Sequence, residues 1–434
     1  MGFLLQNGLV VDPGSGLCDI RDVYIEGDIV RDIAESIDAI ELAKKDAELK
    51  CVDCSDMIVG PGLVDVHVHF RDPGFTYKED IESGALAAAR GGVTSVVLMA
   101  NTKPVVDSPD TLGYVLDKGR NTPIHVYSCS SITKGLKGEE LVDFDEMLKA
   151  GAAGFTDDGI PILSEEIVRK AMEASAKTSS VLSFHEENPK YITNNGINRG
   201  MASAHYNIEG SDRMAEITMV ERDLELAVST GACVNFQHIS TKEAVDAIRQ
   251  AKKKYPEAHI YCEATPHHIA LNEEAAIKFG TNAKMNPPLR CEEDRLAIIA
   301  GLQDGTIDVI ATDHAPHSEE EKAKAITDAP SGIIGLETSL CVTYDTLVRG
   351  GKLSILQLFC KNSYNPSKIY GLDAGELAIG RKADLVVFDP NRVKNCTEFQ
   401  SKSCNSPYFG ASITGDVVMT ICSGKVAYNN LTIR

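Results

Sequence analysis

Short apolar segments alternate with helical segments along most of the chain, and this alternation constrains the fold more than any other feature. Eight segments have strand character, namely 63–69, 94–100, 124–130, 153–158, 181–187, 234–240, 260–266 and 307–314. The intervening stretches, such as KEDIESGALAAARGG and SEEIVRKAMEASAKT, show helical spacing of apolar residues and begin with acidic or capping residues. Eight strands that are each followed by a helical or mixed connection predict an α/β fold, a (β/α)8 TIM-like barrel.

A doubly wound open sheet is the alternative fold with the same alternation. Such sheets usually carry a glycine-rich first turn, and the sequence contains neither GxGxxG nor GxxxxGK[ST]. The barrel is therefore the favoured prediction.

The two ends of the chain differ from the middle. Residues 1–57 and 371–434 contain β-branched runs that are broken by turn pairs such as Asn-Gly and Pro-Gly. We expect both ends to meet in one small β-sandwich domain, with residues 58–370 forming the barrel.

Composition excludes several classes of function. Lys and Arg total 43 against 63 Asp and Glu, a formal net charge of −20, and such a surface repels nucleic acid and anionic lipid. No apolar run approaches the roughly 18 residues of a membrane span, and the start of the sequence lacks a basic leader. The 12 cysteines are scattered irregularly, unlike a disulfide framework. We expect a cytoplasmic protein that binds neither nucleic acid nor membranes.

Histidines and aspartates recur where the predicted strands end. These residues are His67, His69, Asp157, Asp158, His185, His238, Asp313, His314 and His317. In a barrel, the carboxyl ends of all strands open on one rim, where active sites lie. Imidazoles and carboxylates are ligands that suit zinc or a similar metal, so the pattern predicts a metal centre at that rim. By contrast, His125 lies early in its strand and is expected to be a core residue.

Several motifs carry a resemblance to a known family. GLVDVHVHFRDPG followed by KED resembles the first signature of the amidohydrolase superfamily of metal-dependent hydrolases, and ATDHAPH resembles the second signature of dihydroorotases. LMANTKP, FTDDG, HISTK, EATPHH, KMNPPLR and GLET follow in the family's order. Together these motifs, which cover nearly the whole chain, resemble the class I bacterial dihydroorotases of pyrimidine biosynthesis.

The resemblance implies two zinc ions per subunit and assigns their ligands. His67, His69 and Asp313 would hold one metal, His185 and His238 the other, and Asp158 would bridge them. From sequence alone, Asp157 could take the bridging role instead. Asp313 would also be the catalytic group that moves protons.

The resemblance further implies a substrate and the residues that bind it. The reaction would be the reversible cyclisation of N-carbamoyl-L-aspartate to L-dihydroorotate. The substrate-binding residues would be His69, Arg71, Asn101, Asn286, His317, Ser331 and Gly332. A homodimer is expected on family grounds, and an association with aspartate transcarbamoylase is compatible with the family.

The sequence departs from the family pattern in three places, and other functions stay open. Ala100 replaces a proline, FHEEN replaces an AHCE-type segment around His185, and Ser331 replaces an aromatic residue. One alternative is another cyclic amidohydrolase, such as a hydantoinase or allantoinase, although these usually use a carboxylated lysine as the bridge. A non-catalytic scaffold and a nucleobase deaminase are further alternatives.

Overall fold

All eight predicted barrel strands are present in the computed structural model, which describes residues 2–431. They are Leu63–Val68, Val93–Leu98, His125–Ser128, Phe155–Thr156, Val181–Phe184, Cys233–Phe236, Ile260–Ala264 and Val309–Ile310. Each observed strand ends one or more residues before the end of the segment predicted for it, because the chain leaves the sheet near the polar residues that close each segment. The predicted (β/α)8 fold class is confirmed.

The strands are parallel and close into a barrel. Regular ladders join the first three strands and, separately, the last five. Parallel bridges between Ser130 and Phe155 and between Val68 and His314 connect the two groups. The carboxyl ends of all eight strands therefore face the same rim.

Helices follow the strands as the spacing of apolar residues predicts. The α-helices are Ala39–Ala43, Ile81–Arg90, Pro109–Gly119, Phe144–Ala150, Glu165–Thr178, Met201–Tyr206, Met214–Thr230, Lys242–Lys254, Pro266–Ala270, Glu273–Phe279, Glu292–Asp304, Glu319–Lys322, Ser339–Thr343, Ile355–Phe359 and Asn365–Ile369. Side chains of Asp80, Ser164 and Thr241 cap three of them by accepting backbone N–H groups of the first turn.

Most residues of the barrel strands are buried, with His125–Ser128 the most exposed of these strands. Every residue of Leu63–Val68 and of Val93–Leu98 is buried. Parallel strands in such folds are covered by helices outside and by packed side chains inside, which explains their continuous apolar sequences. The barrel interior is thus a rigid support for the residues at its rim.

Strands from both ends of the chain form one sheet beside the barrel. They are Gly2–Asp12, Leu17–Glu26, Ile29–Ala34, Lys50–Asp53, Ile58–Pro61, Leu385–Asn395, Ser412–Cys422 and Lys425–Asn429. Ile58–Pro61 pairs with Gly2–Asp12 on one side and with Leu385–Asn395 on the other. The predicted meeting of the two termini in one β unit is confirmed, and its strands are hydrogen-bonded as a single sheet.

The sheet packs closely against the helical layer at Gly60. A Cβ atom at this position would come within 2.3 Å of the Phe359 ring, so only glycine permits the contact. The division of the chain at residues 57 and 370 stays a prediction, and Ile58–Pro61 belongs to the terminal sheet. Across residues 2–431, we find no helix with the length and apolar character needed to cross a bilayer.

Candidate metal centre

Asp158 lies at the centre of a cluster of four buried histidines. Its carboxylate oxygens are 3.3 Å from His67 Nε2, 3.3 Å from His69 Nε2, 3.6 Å from His185 Nδ1 and 3.8 Å from His238 Nε2. These side chains come from the ends of four different barrel strands, as the sequence predicts. One carboxylate therefore faces both proposed pairs of histidines.

Asp313 completes the cluster from the last barrel strand. Its Oδ1 atom is 3.0 Å from His69 Nε2 and 3.5 Å from His67 Nε2. Three groups of donor atoms that lie within 4.8 Å of one another can be formed from these residues, and all members are buried. The predicted ligands are thus brought together at the rim.

The donor atoms fit a metal centre. His67 Nε2 is buried and meets the geometry of a hydrogen bond with no residue of the described range 2–431, although the Asp158 and Asp313 carboxylates lie 3.3 Å and 3.5 Å away. His185 Nε2 lies 3.0 Å from Glu187 Oε2, which favours a proton on Nε2 and a lone pair on Nδ1. That Nδ1 atom faces His238 Nε2 at 2.9 Å. Imidazole lone pairs converging on carboxylates form a site that a divalent cation can satisfy.

The protonation balance of the cluster reflects its crowded charges. Burial lowers the pKa of His67, but the carboxylates of Asp313, Asp158 and Glu263 raise it by more. Burial likewise raises the pKa of Asp158, but the surrounding histidines, His67 first, lower it by more. The pKa of His67 is thereby held well above, and that of Asp158 well below, the ordinary value. Burial, together with His185 and His67, holds the pKa of His238 well below its usual range. The carboxylates thus require nearby positive charge, which bound metal ions would supply.

Asp157 and Asp158 have different surroundings despite being neighbours. Asp157 Oδ1 accepts the backbone N–H groups of Ile132 at 2.7 Å and Thr133 at 3.1 Å, and Oδ2 accepts the Thr133 hydroxyl. Burial raises the pKa of Asp157 to about 6, although these hydrogen bonds oppose the shift. The geometry therefore favours Asp158 over Asp157 as the bridging residue.

Three residues around the cluster have unusual backbone conformations. Arg71, His238 and Asp313 have φ angles of 59°, 32° and 47°, in the left-handed region that non-glycine residues rarely adopt. Such strain is concentrated at functional sites, where the fold holds side chains in required positions. Alternation of side chains along an extended strand predicts that Arg71 shares a face with His67 and His69. The first strand ends at Val68, however, so Arg71 lies in the turn that follows it.

A second layer of polar residues orients the donors, and sequence reasoning missed most of it. Glu263 Oε2 lies 2.9 Å from His67 Nδ1, and Glu263 Oε1 accepts the Asn235 amide at 2.5 Å. Glu187 Oε2 lies 3.0 Å from His185 Nε2. Glu263, the carboxylate within the strand IYCEA, was the available sequence signal for this layer. Metal-binding histidines commonly donate their second N–H group to such a carboxylate.

We expect Glu263→Gln to weaken metal binding without removing a ligand. The neutral amide oxygen accepts the His67 Nδ1–H more weakly than the carboxylate does, so the orientation and basicity of the imidazole are less well controlled. Loss of such a contact typically lowers metal affinity by roughly 10- to 100-fold. Titration with a competing chelator measures the change, and unchanged affinity would contradict a supporting role for Glu263.

A cavity of about 220 Å³ opens above the cluster. Its lining includes the predicted residues His69, Arg71, Asn101, Asp158, His185, His238, Asn286, Asp313, His317 and Ser331. His67 lies beneath and is fully buried. The cavity is small enough for a compact metabolite, and one wall carries the donor cluster.

Arg71 provides the positive charge of this cavity and lies next to His317, whose pKa is lowered to about 2 by burial and by the charges of Arg71 and Lys78. Arg71 Nη2 lies 3.4 Å from His317 Nε2, and Arg71 Nε donates to the Pro316 carbonyl at 3.3 Å. Asn101 is already engaged: its Oδ1 lies 3.0 Å from His69 Nδ1, and its Nδ2 donates to the Asp158 backbone carbonyl at 3.2 Å. Asn101 therefore orients His69 in addition to lining the cavity.

Two of the three remaining predicted substrate residues, Asn286 and Ser331, also line the cavity. Asn286 Oδ1 is buried and has no hydrogen-bond partner among the described residues, as expected of a group reserved for a ligand. Ser331 lines the cavity. Gly332 lies behind it, and a Cβ atom there would come within 2.6 Å of His317 Cδ2. Gly332 thus permits His317 to pack against the loop.

Comparison with known proteins identifies the class and then the group within it. The amidohydrolase family matches residues 58–427. The fold and the site thus define a metal-dependent hydrolase, and the chain belongs to the amidohydrolase family. The dihydroorotase of Clostridioides difficile (strain 630) is 49% identical over 426 residues, covering 98% of this chain and 99% of that protein.

Further relatives agree with this placement. The dihydroorotase of Clostridium acetobutylicum is 46% identical over 430 residues, which cover 98% of this chain and 99% of that protein. The dihydroorotase of Lactococcus lactis subsp. lactis is 45% identical over 429 residues, which cover 99% of each chain. Within the amidohydrolases, the chain therefore groups with the dihydroorotases, which are cyclic amide hydrolases.

Solved structures support the fold. L-Hydantoinase from Arthrobacter aurescens has a TM-score of 0.86 at 24% identity, covering 100% of this chain and 97% of that chain. Dihydropyrimidinase from Brevibacillus agri has a TM-score of 0.83 at 21% identity, covering 99% and 95%. At these identities, the similarity concerns the architecture only.

Proposed function

We propose that this protein catalyses the reversible cyclisation of N-carbamoyl-L-aspartate to L-dihydroorotate and water. The observation that carries the proposal is a single cavity with two chemically different sides. One side holds Asp158 and Asp313 among four histidines, and the other holds Arg71 beside His317. A cyclic amide that bears a carboxylate needs both sides. The histidine and aspartate cluster would act on the amide bond, and Arg71 would hold the carboxylate.

Zinc is the metal we propose, with two ions per subunit. His67, His69 and Asp313 would hold one ion, His185 and His238 the other, and Asp158 both. Nitrogen and carboxylate donors without thiolates suit zinc. When bound, such a metal pair lowers the pKa of a water molecule and polarises the substrate carbonyl.

Asp313 is the residue we propose for proton transfer. In ring opening, its carboxylate accepts the proton of the attacking water and delivers it to the ring nitrogen as the amide bond breaks. In the reverse direction, it takes the proton of the carbamoyl nitrogen as that nitrogen attacks the carbon of the side-chain carboxyl group, and it delivers this proton to the hydroxyl group that leaves as water. The short contact with His69 holds the carboxylate in place for both directions.

Substrate orientation depends on the other side of the cavity. The Arg71 guanidinium offers two parallel N–H groups to the substrate carboxylate, a geometry that a carboxylate matches well. His317 and Asn101 lie beside it, and His69 borders the reacting carbonyl. The free Asn286 Oδ1 atom can accept a ring N–H, and Ser331 and Gly332 close the remaining side.

Ring opening of L-dihydroorotate by the zinc-loaded protein tests the proposal. We expect rapid turnover that a chelator abolishes and added zinc restores. Hydantoin and allantoin serve as comparison substrates, because they share the cyclic amide but lack the ring carboxylate. Faster opening of hydantoin than of dihydroorotate would reject the proposed substrate.

We expect Arg71→Ala to raise KM for dihydroorotate by roughly 10- to 100-fold, the value of a charged hydrogen-bonded contact. The substituted contact is remote from the reacting bond, so kcat should change much less. Steady-state kinetics separate the two constants. Lys103→Ala, which removes an exposed charge from a neighbouring loop, is the matched control and should leave KM unchanged. A loss confined to kcat would contradict the assignment of Arg71.

Two further expectations concern the protein as a whole. We propose that the protein is cytoplasmic, because its irregularly scattered cysteines do not resemble a disulfide framework. On family grounds alone, we propose a homodimer that can also associate with aspartate transcarbamoylase. Light scattering of the purified protein, alone and mixed with aspartate transcarbamoylase, measures both associations. A monomer at micromolar concentration would reject the dimer.

A further inference from the structure

His125, Asp384 and Cys422 form a second group of metal-binding side chains, at the other end of the barrel from the catalytic cavity. His125 is the first residue of its strand, whereas the catalytic donors follow the carboxyl ends of theirs. Asp384 immediately precedes the strand Leu385–Asn395, and Cys422 ends the strand Ser412–Cys422. The group therefore lies where the barrel meets the terminal sheet.

The three side chains are close enough to share one ion. His125 Nε2 is 3.0 Å from Asp384 Oδ2, and one donor atom from each of the three residues lies within 4.8 Å of the other two. Asp384 and Cys422 are buried, and the His125 side chain is 24% exposed. The sequence had suggested a core histidine, but this residue borders solvent because it opens the strand at the barrel's edge.

We propose that His125, Asp384 and Cys422 bind a divalent cation of the zinc type, separately from the catalytic centre. Imidazole, carboxylate and thiolate together suit zinc or cobalt, and one carboxylate is too little for magnesium or calcium. The ion would join the barrel to the terminal sheet. This proposal does not depend on the proposed catalytic function.

The charge balance of the site favours such an ion. On binding, the Cys422 thiol releases its proton to solvent, and His125 binds through Nε2 with its remaining proton on Nδ1. A dication with one thiolate and one carboxylate then has no net charge, which suits buried ligands. The Cys422 thiol makes a long contact of 3.8 Å to the Thr94 carbonyl and also interacts with the side chains of Asp384 and Ser423.

The surroundings provide support for Asp384 and access for the ion. Asp384 Oδ1 accepts the Ser423 backbone N–H at 2.7 Å, which fixes the carboxylate and leaves Oδ2 toward His125. A cleft of about 520 Å³ borders the group, with His125, Cys422 and Ser423 in its wall. The fourth position of a tetrahedral ion can therefore be filled by water from the cleft or by the Ser423 hydroxyl, which is 3.5 Å from His125 Nε2.

Cobalt is the probe that separates this site from the catalytic one. Thiolate ligation of Co²⁺ produces a sulfur-to-metal charge-transfer band in the near ultraviolet, and the proposed catalytic ligands contain no sulfur. We titrate the metal-depleted full-length protein with Co²⁺ and expect this band, which added Zn²⁺ should abolish by displacement.

Variants then assign the band to its residues. Cys422→Ser and His125→Gln should each lose it, whereas Cys18→Ser, which alters an exposed thiol elsewhere, should retain it. Thermal melting confirms that each variant is folded, and His125→Gln keeps the thiol if Cys422→Ser fails to fold. Absence of the band in the unmodified protein, or its persistence in a folded Cys422→Ser or His125→Gln variant, overturns the proposal. Dihydroorotate ring opening by zinc-loaded Cys422→Ser should be unchanged.

Discussion

Asp313→Asn should reduce the turnover of dihydroorotate ring opening by roughly 10³-fold, within the range for loss of a general acid–base group. The amide keeps the size of the side chain but cannot accept and return a proton. Its oxygen can still face His69, since only one carboxylate oxygen makes the 3.0 Å contact. We therefore expect the fold to persist while proton transfer fails. Single-turnover kinetics at saturating zinc measure the chemical step.

Melting temperature and bound zinc distinguish this explanation from a structural one. Asp313 is also a proposed metal ligand, so some weakening of one zinc site accompanies the substitution, and excess zinc compensates for it. Turnover that recovers fully in excess zinc would mean that Asp313 serves only as a ligand. Activity that falls in parallel with the melting temperature would mean that it serves the fold.

The barrel and its rim could be predicted because their causes lie in local sequence. Apolar runs mark the strands, and the polar residues that end them must meet at one rim once eight parallel strands close. The positions of His185 and Asp313, which are 128 residues apart in numbering, follow from this rule alone. Their roles as ligands stay predictions.

Other features depend on contacts between distant segments and could not be predicted. In the sequence, Glu263 is a polar residue within an apolar strand and has no evident role. Its role depends on His67, which is 196 positions away in sequence and 2.9 Å away in the structure. The left-handed conformations of Arg71, His238 and Asp313 have no sufficient local signal, because non-glycine residues uncommonly adopt that region, even though aspartate and histidine do so more often than arginine. His125, Asp384 and Cys422 come from three segments that are separated in sequence, so their spacing resembles no metal-binding motif.

Asp158→Asn and Asp157→Asn form a matched pair with opposite expected outcomes. The first removes the negative charge that faces all four histidines, so both zinc sites should weaken. Removing a residue that only supports a metal ligand lowers metal affinity by roughly 10- to 100-fold. Removing a ligand shared by both metals should lower metal affinity by more than about 100-fold. Turnover should fall with zinc content, as measured by mass spectrometry after dialysis against buffered zinc.

Asp157→Asn makes the same chemical change one residue earlier and should spare the metals. Its amide oxygen can still accept the N–H groups of Ile132 and Thr133, and its amide nitrogen can donate to the Thr133 hydroxyl. We expect a loss of about 1 kcal/mol in the free energy of unfolding, the scale of one altered hydrogen bond, with zinc content and turnover nearly unchanged. If Asp157→Asn lost zinc while Asp158→Asn retained it, the bridging role would belong to Asp157. Because both variants share the same turn, a general distortion of that turn would affect zinc binding in both, whereas a bridging ligand affects it in one.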